Sequence, residues 1–303
     1  MRVVLAGASG LVGTALVAEL VNRSAAYTQL VRPSSPNSPS QRTWDPARGV
    51  LDQTILAGAE AVVCLSGENV AEGRWTAQRK LALRTSRIDS AGLIARTLAQ
   101  MASPPPVFVC ASATGYYGSK RGDELLDETS RPGNDFLAQL CADWEATTKP
   151  ASEAGVRVVN LRFAVVLDPA GGALAKMLPP FRLALGGPFG GASNYFSWLT
   201  LDEAVRMILF AIETPGLQGP VNACAPNPVT TGEFARSLGK AVHRPAIFPV
   251  PAFAVRALFG EMGDALLLAS NRVVPLSLAN AGYPFRDPEL GAALRRVLGG
   301  RLP

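Results

Sequence analysis

Residues 1–13, MRVVLAGASGLVG, carry three signals in one short stretch. Arg2 to Ala6 is an apolar, β-branched run of the kind a parallel strand buried on both faces requires. Gly7, Gly10 and Gly13 follow at three-residue spacing, and Leu16, Val17, Leu20 and Val21 then recur at helical intervals. The order strand, glycine-rich turn, helix predicts a dinucleotide-binding unit. Gly7 permits the tight turn, Gly10 lets the backbone approach a pyrophosphate, and Gly13 lets the helix pack closely on the strand. The phosphates would lie at the helix N-terminus among Gly7, Ser9, Gly10, Leu11, Val12 and Gly13, where unpaired N–H groups and the helix dipole favour negative charge.

A chain of 303 residues, 48% of them hydrophobic, has ample material for one large or two unequal lobes. The formal charge is +5, from 29 basic and 24 acidic residues, and the basic residues are scattered. That pattern leaves no nucleic-acid footprint and suits an anionic cofactor or substrate. Cys64, Cys110, Cys141 and Cys224 lack metal-ligand spacing, and three of them sit in apolar runs, so buried free thiols and no metal site are expected. Gly7, Ser9, Gly10 and Gly13 break the N-terminal apolar stretch, and no other run is long enough to span a bilayer. A cytoplasmic protein without a membrane partner is predicted, and a homodimer is compatible with this class.

Downstream, strands are predicted at Tyr27–Val31, Arg42–Asp45, Ala61–Leu65, Val107–Cys110 and Val156–Phe163, separated by helices at Trp75–Met101 and Asn134–Ala154. Alternation of this kind predicts an α/β fold, a Rossmann-type doubly wound parallel sheet. The pattern changes after Asp168. Helices are predicted at Ala173–Leu185, Leu201–Ile212 and Thr230–Val242, with a short strand at Val221–Ala223 that rejoins the sheet and proline-broken helices beyond. Residues 1–168, rejoined by about 195–225, are thus expected to form an NADP-binding Rossmann domain. Residues 169–303 would form a smaller, mostly helical substrate lobe over the carboxyl ends of the strands.

Several longer stretches then resemble one family. GASGLVG, CASATGYYG after the fifth strand and LRFAVVLDP at the next fall in the order found in extended short-chain dehydrogenase/reductases. LSGENVAEGRW (65–75), TSRID (85–89), WEA (144–146), FSWLTLDEAV (196–205) and the AGYPFRDPELGAALRRVL ending are similar to a sugar-nucleotide epimerase-like subgroup. That subgroup is often labelled cell-division-inhibitor (SulA-like) homologues. The resemblance covers nearly the whole chain.

Cofactor preference can be read from the second strand. An Asp or Glu at its end selects NAD, but here Arg32 stands there, with no carboxylate between Tyr27 and Asn37. An arginine fork suits a 2′-phosphate, so NADP is the expected cofactor. The resemblance adds Leu65, Ser66 and Gly67 beside the adenosine ribose and pyrophosphate, and Arg87 and Ala111 near them. It places Phe163 to Val166 past the nicotinamide.

Reductase chemistry in the superfamily uses a Ser, a Tyr and a Lys, the last two at i and i+4 on one helix face. The resemblance implies Ser112 as the serine, but the helix expected to carry the pair reads DFLAQLCADWEA and offers Leu137 and Cys141. Tyr116-x-x-x-Lys120 has the right spacing, yet Gly118 lies inside it and a charged RGDE loop follows, so it is read as a decoy. Tyr116 and Tyr117 remain candidates to stack on a sugar or donate a proton, or are packing aromatics, and no cation is adjacent to them in sequence. Asp123, Glu124, Asp127 and Glu128 read as a solvated acidic loop, and His243 as a surface residue. Two functions follow from different classes: an NADP-dependent enzyme acting on a sugar nucleotide or similar small polar metabolite, and a cofactor-binding regulatory protein without turnover.

Overall fold

The computed structural model describes residues 1–33 and 38–299, so the middle of the Ser/Pro-rich loop, 34–37, lies outside the described residues. In chain order the first elements are β1 (Arg2–Ala6), α1 (Leu11–Asn22), β2 (Ala26–Val31), β3 (Gln41–Thr43), β4 (Ala61–Cys64), α2 (Ala77–Gln100) and β5 (Val107–Ala113). Next come β6 (Lys120–Leu126), α3 (Phe136–Ala146), α4 (Lys149–Glu153), β7 (Arg157–Phe163), β8 (Val165–Asp168), α5 (Gly172–Arg182), β9 (Tyr195–Phe196) and β10 (Trp198–Thr200). The chain continues through α6 (Leu201–Glu213), β11 (Gly219–Ala223), β12 (Val229–Thr230), α7 (Thr231–Ala241), α8 (Ala252–Phe259) and α9 (Glu261–Leu266). It closes with β13 (Ser270–Val273), α10 (Leu276–Asn280) and α11 (Leu290–Gly299).

Seven strands make one parallel sheet in the order β11-β7-β5-β4-β1-β2-β3. Its strands are apolar on both faces because both are covered. Val3 and Leu5 pack with Leu16 and Leu20 of α1 and Ile208 of α6, while Val4 and Ala6, pointing the other way, pack with Ile94 and Leu98 of α2. This is the expected doubly wound α/β fold, and β11 rejoins the sheet beside β7 as the sequence implied. A third apolar cluster, built around Trp198, Phe196, Phe234, Leu238 and Leu294, holds α5, β9, β10, α7 and α11 together. All four cysteines are free and buried.

Several boundaries differ from expectation. The fifth strand runs on through Ala113, because Ala111, Ser112 and Ala113 keep register with Leu161, Arg162 and Phe163. The single helix expected over 134–154 is two. The hydroxyls of Thr147 and Thr148 take the carbonyls of Trp144 and Glu145, and α4 restarts with Pro150 in its first turn. The third strand ends at Thr43, and Asp45 instead bridges to Val50. The supposed acidic loop is strand β6, which pairs with β13. Asp123 and Glu124 are exposed on it as expected, but Glu128 is not a solvated charge: its Oε1 accepts from the N–H groups of Asn222 (2.9 Å) and Ser277 (3.1 Å). No described helix is long and apolar enough to cross a membrane.

Candidate functional site

Strand order reverses at β1. From there the chain builds β2 and β3 on one side and returns to β4 on the other, so a crevice opens at the carboxyl ends of β1 and β4. Its walls nearly touch. Leu65 N–H donates to the Ala6 carbonyl at 2.8 Å, Gly7 has φ +87°, and a Cβ on Gly7 would stand 2.6 Å from the Leu65 carbonyl carbon. Across the turn, a Cβ on Gly13 would fall 2.1 Å from the Gly7 carbonyl oxygen, so only glycine lets α1 sit this close to β1.

Gly10 differs from both. A Cβ there would meet only the Gly7 oxygen, at 3.6 Å, and Ser9 and Gly10 are exposed while Leu11 and Val12 are half-buried. No side chain caps α1, and no acidic residue stands in its first turn. Free backbone donors at the positive end of the helix dipole therefore face open space, a cradle whose donor chemistry fits a pyrophosphate.

Around this cradle the remaining candidates fall as follows. Arg32 stands exposed directly after β2. Leu65 and Ser66 are half-buried after β4, and Gly67 is exposed. Arg87 is tied into the fold: its Nη1 donates to the Leu83 carbonyl (2.9 Å) and its Nη2 to the Glu68 carbonyl (2.8 Å), with the guanidinium 5.2 Å from the centroid of the Trp144 ring. It thereby fixes the segment that forms one wall. Ala111 and Ser112 are buried at the end of β5, and Phe163 and Val166 are half-buried on β7 and β8.

At the ends of β5, β7 and β11 the structure assembles a polar chain that the sequence did not announce. Ser112 Oγ donates to Glu145 Oε1 at 2.6 Å. Arg162 grips the same carboxylate with both arms, Nε to Oε1 and Nη2 to Oε2, each at 2.8 Å, and its Nη1 donates to the Tyr117 hydroxyl at 3.0 Å. That hydroxyl lies 2.7 Å from Asn222 Oδ1 and 2.9 Å from the Asp127 carbonyl, one of which takes its proton. The bidentate geometry and burial make this the kind of ion pair that is costly to break. Burial alone would depress the Arg162 guanidinium, but Glu145 and Tyr117 hold it firmly protonated.

This arrangement bears on two expectations. Tyr117 is fully buried with its hydroxyl bonded inside the fold, which fits the packing-aromatic alternative, and burial pushes its phenol above the usual range against the opposing pull of Arg162. A cation does stand beside the tyrosines: the Arg162 guanidinium lies 3.4 Å from the Tyr116 ring centroid and 5.3 Å from that of Tyr117. Tyr116 is only half-buried and packs edge-on against Tyr117. Glu145, Arg162 and Asn222 were legible only as parts of longer stretches. Ser112 and Glu145 are 33 positions apart, and no local spacing links them.

Residues 3–224 match the model of the NAD dependent epimerase/dehydratase family. The chain belongs to that family. Residues 250–297 match a domain of unknown function. An epimerase family protein of Mycobacterium bovis, Mb2239, is 42% identical over 292 residues, with 96% of each chain covered. The crystal structure of human epimerase family protein SDR39U1 with NADPH superposes with a TM-score of 0.90 at 33% identity, covering 100% of both chains. A nucleoside-diphosphate sugar epimerase from Corynebacterium glutamicum gives a TM-score of 0.79 at 36% identity, over 99% of this chain and 58% of that one.

Within this epimerase-family fold, α3 buries Leu137 and Cys141 against the turn that holds Tyr116. A Cβ on Gly115 would be 3.3 Å from Leu137 Cβ and 3.8 Å from Cys141 Sγ. Burial pushes the Cys141 thiol up to about 12, with Glu145 adding to the shift. Tyr116 and Lys120 do not share a helix: a 3-10 turn ends at Tyr117, Gly118 follows with φ +79°, and Lys120 opens β6, exposed. A cavity of about 270 Å³ lies beside this turn, lined by Trp75, Lys120, Phe136, Leu137 and Arg256 among others. His243 is exposed, as expected, on an open depression of about 500 Å³ whose other walls are residues of α7 and the segment after it.

Proposed function

We propose that this chain binds NADP(H) in the β1/β4 crevice and is an oxidoreductase or epimerase acting on a sugar nucleotide or similar small polar metabolite. The observation that carries this reading is the likeness, end to end and at 33% identity, to a protein solved with NADPH. In this reading the turn from Gly7 to Gly13 holds the pyrophosphate and Arg32 takes the 2′-phosphate. Leu65, Ser66, Gly67, Ala111, Phe163 and Val166 line the ribose and nicotinamide. NADP(H) supplies the hydride chemistry.

Tyr116 is the proton donor, because it is the half-buried phenol at the carboxyl end of β5. Ser112 is a positioning residue, since its hydroxyl is committed to Glu145 and through it to Arg162 beneath Tyr116. Lys120 has no role in proton transfer. One observation favours a second reading, a cofactor-binding regulatory protein without turnover. The resemblance puts the usual Tyr and Lys at Leu137 and Cys141, and both are buried apolar positions. NADPH oxidation followed at 340 nm across a panel of keto-sugars, together with proton NMR of nucleotide sugars incubated with the NADP-loaded protein, separates the two, because an epimerase returns its hydride and is seen only in its product. The enzyme reading expects turnover that Tyr116→Phe removes. NADPH binding with no turnover on the whole panel would leave the regulatory reading standing.

A further inference from the structure

The exposed apolar side chains are not spread evenly over the surface. Among the described residues, eight of the fourteen large ones fall in two short segments, 183–185 and 247–259. Phe253 is 74% exposed and Ile247 69%, and α8 buries only Val255 of its eight residues. The two segments are laced together. Phe248 N–H donates to the Gly186 carbonyl (3.1 Å), Val250 N–H to the Pro188 carbonyl (2.9 Å), and Arg244 Nε to the Arg182 carbonyl (3.2 Å). Leu183, Leu185, Ile247 and Phe248 therefore belong to one face, which α8 extends through Phe253. A folded chain rarely leaves so many apolar side chains together without a partner.

The charge of this face is one-sided. Basic residues look scattered along the sequence, but 169–201 and 234–260 contain no Asp or Glu and hold six of them: Lys176, Arg182, Arg236, Lys240, Arg244 and Arg256. That exceeds the formal charge of the whole chain, +5, so the remainder is close to neutral. Lys176 and Arg256 are engaged, with the Ala71 carbonyl and with Asp264. Arg182, Arg236, Lys240 and Arg244 are exposed and form no ion pair with a described residue. Arg236, Lys240 and Arg244 line the same open depression as Ile247, which sets the cations beside the apolar side chains.

Charge decides between the occupants. A second copy would set two basic faces against each other, with no acid in either stretch to offset them. An anionic bilayer suits both features, because its headgroups take the cations and its acyl boundary takes Leu, Ile and Phe side chains. The expectation of no membrane partner rested on the lack of a spanning run, which a face lying on the surface does not need.

We propose that the face formed by the loop after α5, the segment after α7 and α8 docks on an anionic lipid surface. Ile247 and Phe253 enter the interface, and Arg236 and Lys240 lie against lipid phosphates. The inference is independent of the cofactor and substrate reading.

The test sediments the protein with vesicles of equimolar phosphatidylglycerol and phosphatidylcholine, and with vesicles of phosphatidylcholine alone. Wild type should bind the mixed vesicles at least tenfold more tightly than the neutral ones, and roughly 0.5 M salt should remove most of that difference by screening. Ile247→Ser combined with Phe253→Ser should weaken binding to the mixed vesicles at least tenfold, and so should Arg236→Gln combined with Lys240→Gln. All four side chains are exposed, so the melting temperature of either pair should stay within about 2 °C of wild type. Failure of wild type to bind the mixed vesicles overturns the inference and leaves the face to an acidic protein. Equal binding to the two kinds of vesicle, or binding that either pair of substitutions leaves unchanged, overturns it as well. So does a wild-type dimer in sedimentation velocity that the Ile247→Ser and Phe253→Ser pair dissolves, since a second copy then covers the face. If the apolar pair does not fold, the charge pair alone decides.

Discussion

The turns that follow β1 and β5 sit on the same edge of the sheet and are held there in opposite ways. The first is held mainly by absence: hydrogen atoms at Gly7 and Gly13 let backbone lie against backbone, no side chain caps α1, and Thr14 Oγ1 donates to the Ala8 carbonyl at 3.2 Å. The second is held by presence: Ser112, Glu145, Arg162, Tyr117 and Asn222 lock it through buried hydrogen bonds contributed by four separate segments. Local sterics can be written into seven consecutive residues. A buried ion pair needs partners delivered by the whole sheet. The first turn therefore tolerates no bulk at Gly7 or Gly13, and the second tolerates no unpaired charge.

The largest effect should come from breaking the second turn. Glu145→Ala leaves Arg162 buried, with its side chain 3% exposed and its fork unpaired, and should cost about 3–5 kcal/mol of stability in a denaturant titration. A change below about 1 kcal/mol would mean that water or another carboxylate reaches Arg162, and the contrast between the turns would fail.

Gly10 tests the first turn without touching its packing, because a side chain there enters the open cradle and not the backbone. Gly10→Val should weaken NADPH at least about hundredfold by calorimetry, near 2.7 kcal/mol, while circular dichroism and melting temperature stay close to wild type. Wild-type affinity in a folded variant would put the phosphates elsewhere.

A smaller effect is expected at Arg32, which is exposed, so its fork works partly screened. Arg32→Ala should weaken NADPH about tenfold and leave NADH unchanged, and wild type should prefer NADPH. Equal wild-type affinity for the two cofactors would remove the argument from the second strand.

The smallest effect sharpens the comparison from the other side. Lys120 begins β6, outside the polar chain and off any helix shared with Tyr116. Lys120→Ala should change NADPH affinity and any measured turnover by less than about twofold, within the scatter of surface substitutions. A large loss of turnover with binding intact would make Tyr116 and Lys120 a working pair after all.

The sequence by itself determined the parallel sheet, the glycine cradle and the α/β class, because each rests on a local pattern. An apolar run, a three-residue glycine spacing and a helical stripe are all complete within a dozen residues. It also placed Leu137 and Cys141 one helical turn apart, and both are buried on α3. Only the tertiary structure decided which tyrosine is buried, that the 120–126 segment is a strand, that Glu128 is an internal anchor, and that Arg162 stands beneath Tyr116. The physical reason is common to all of these. The environment of a charge or a phenol is set by neighbours from distant segments, and β5, β7 and β11 of the large sheet and the β6/β13 pair meet only when the chain folds. Backbone pattern is local, whereas the solvation and pairing of a polar side chain are not.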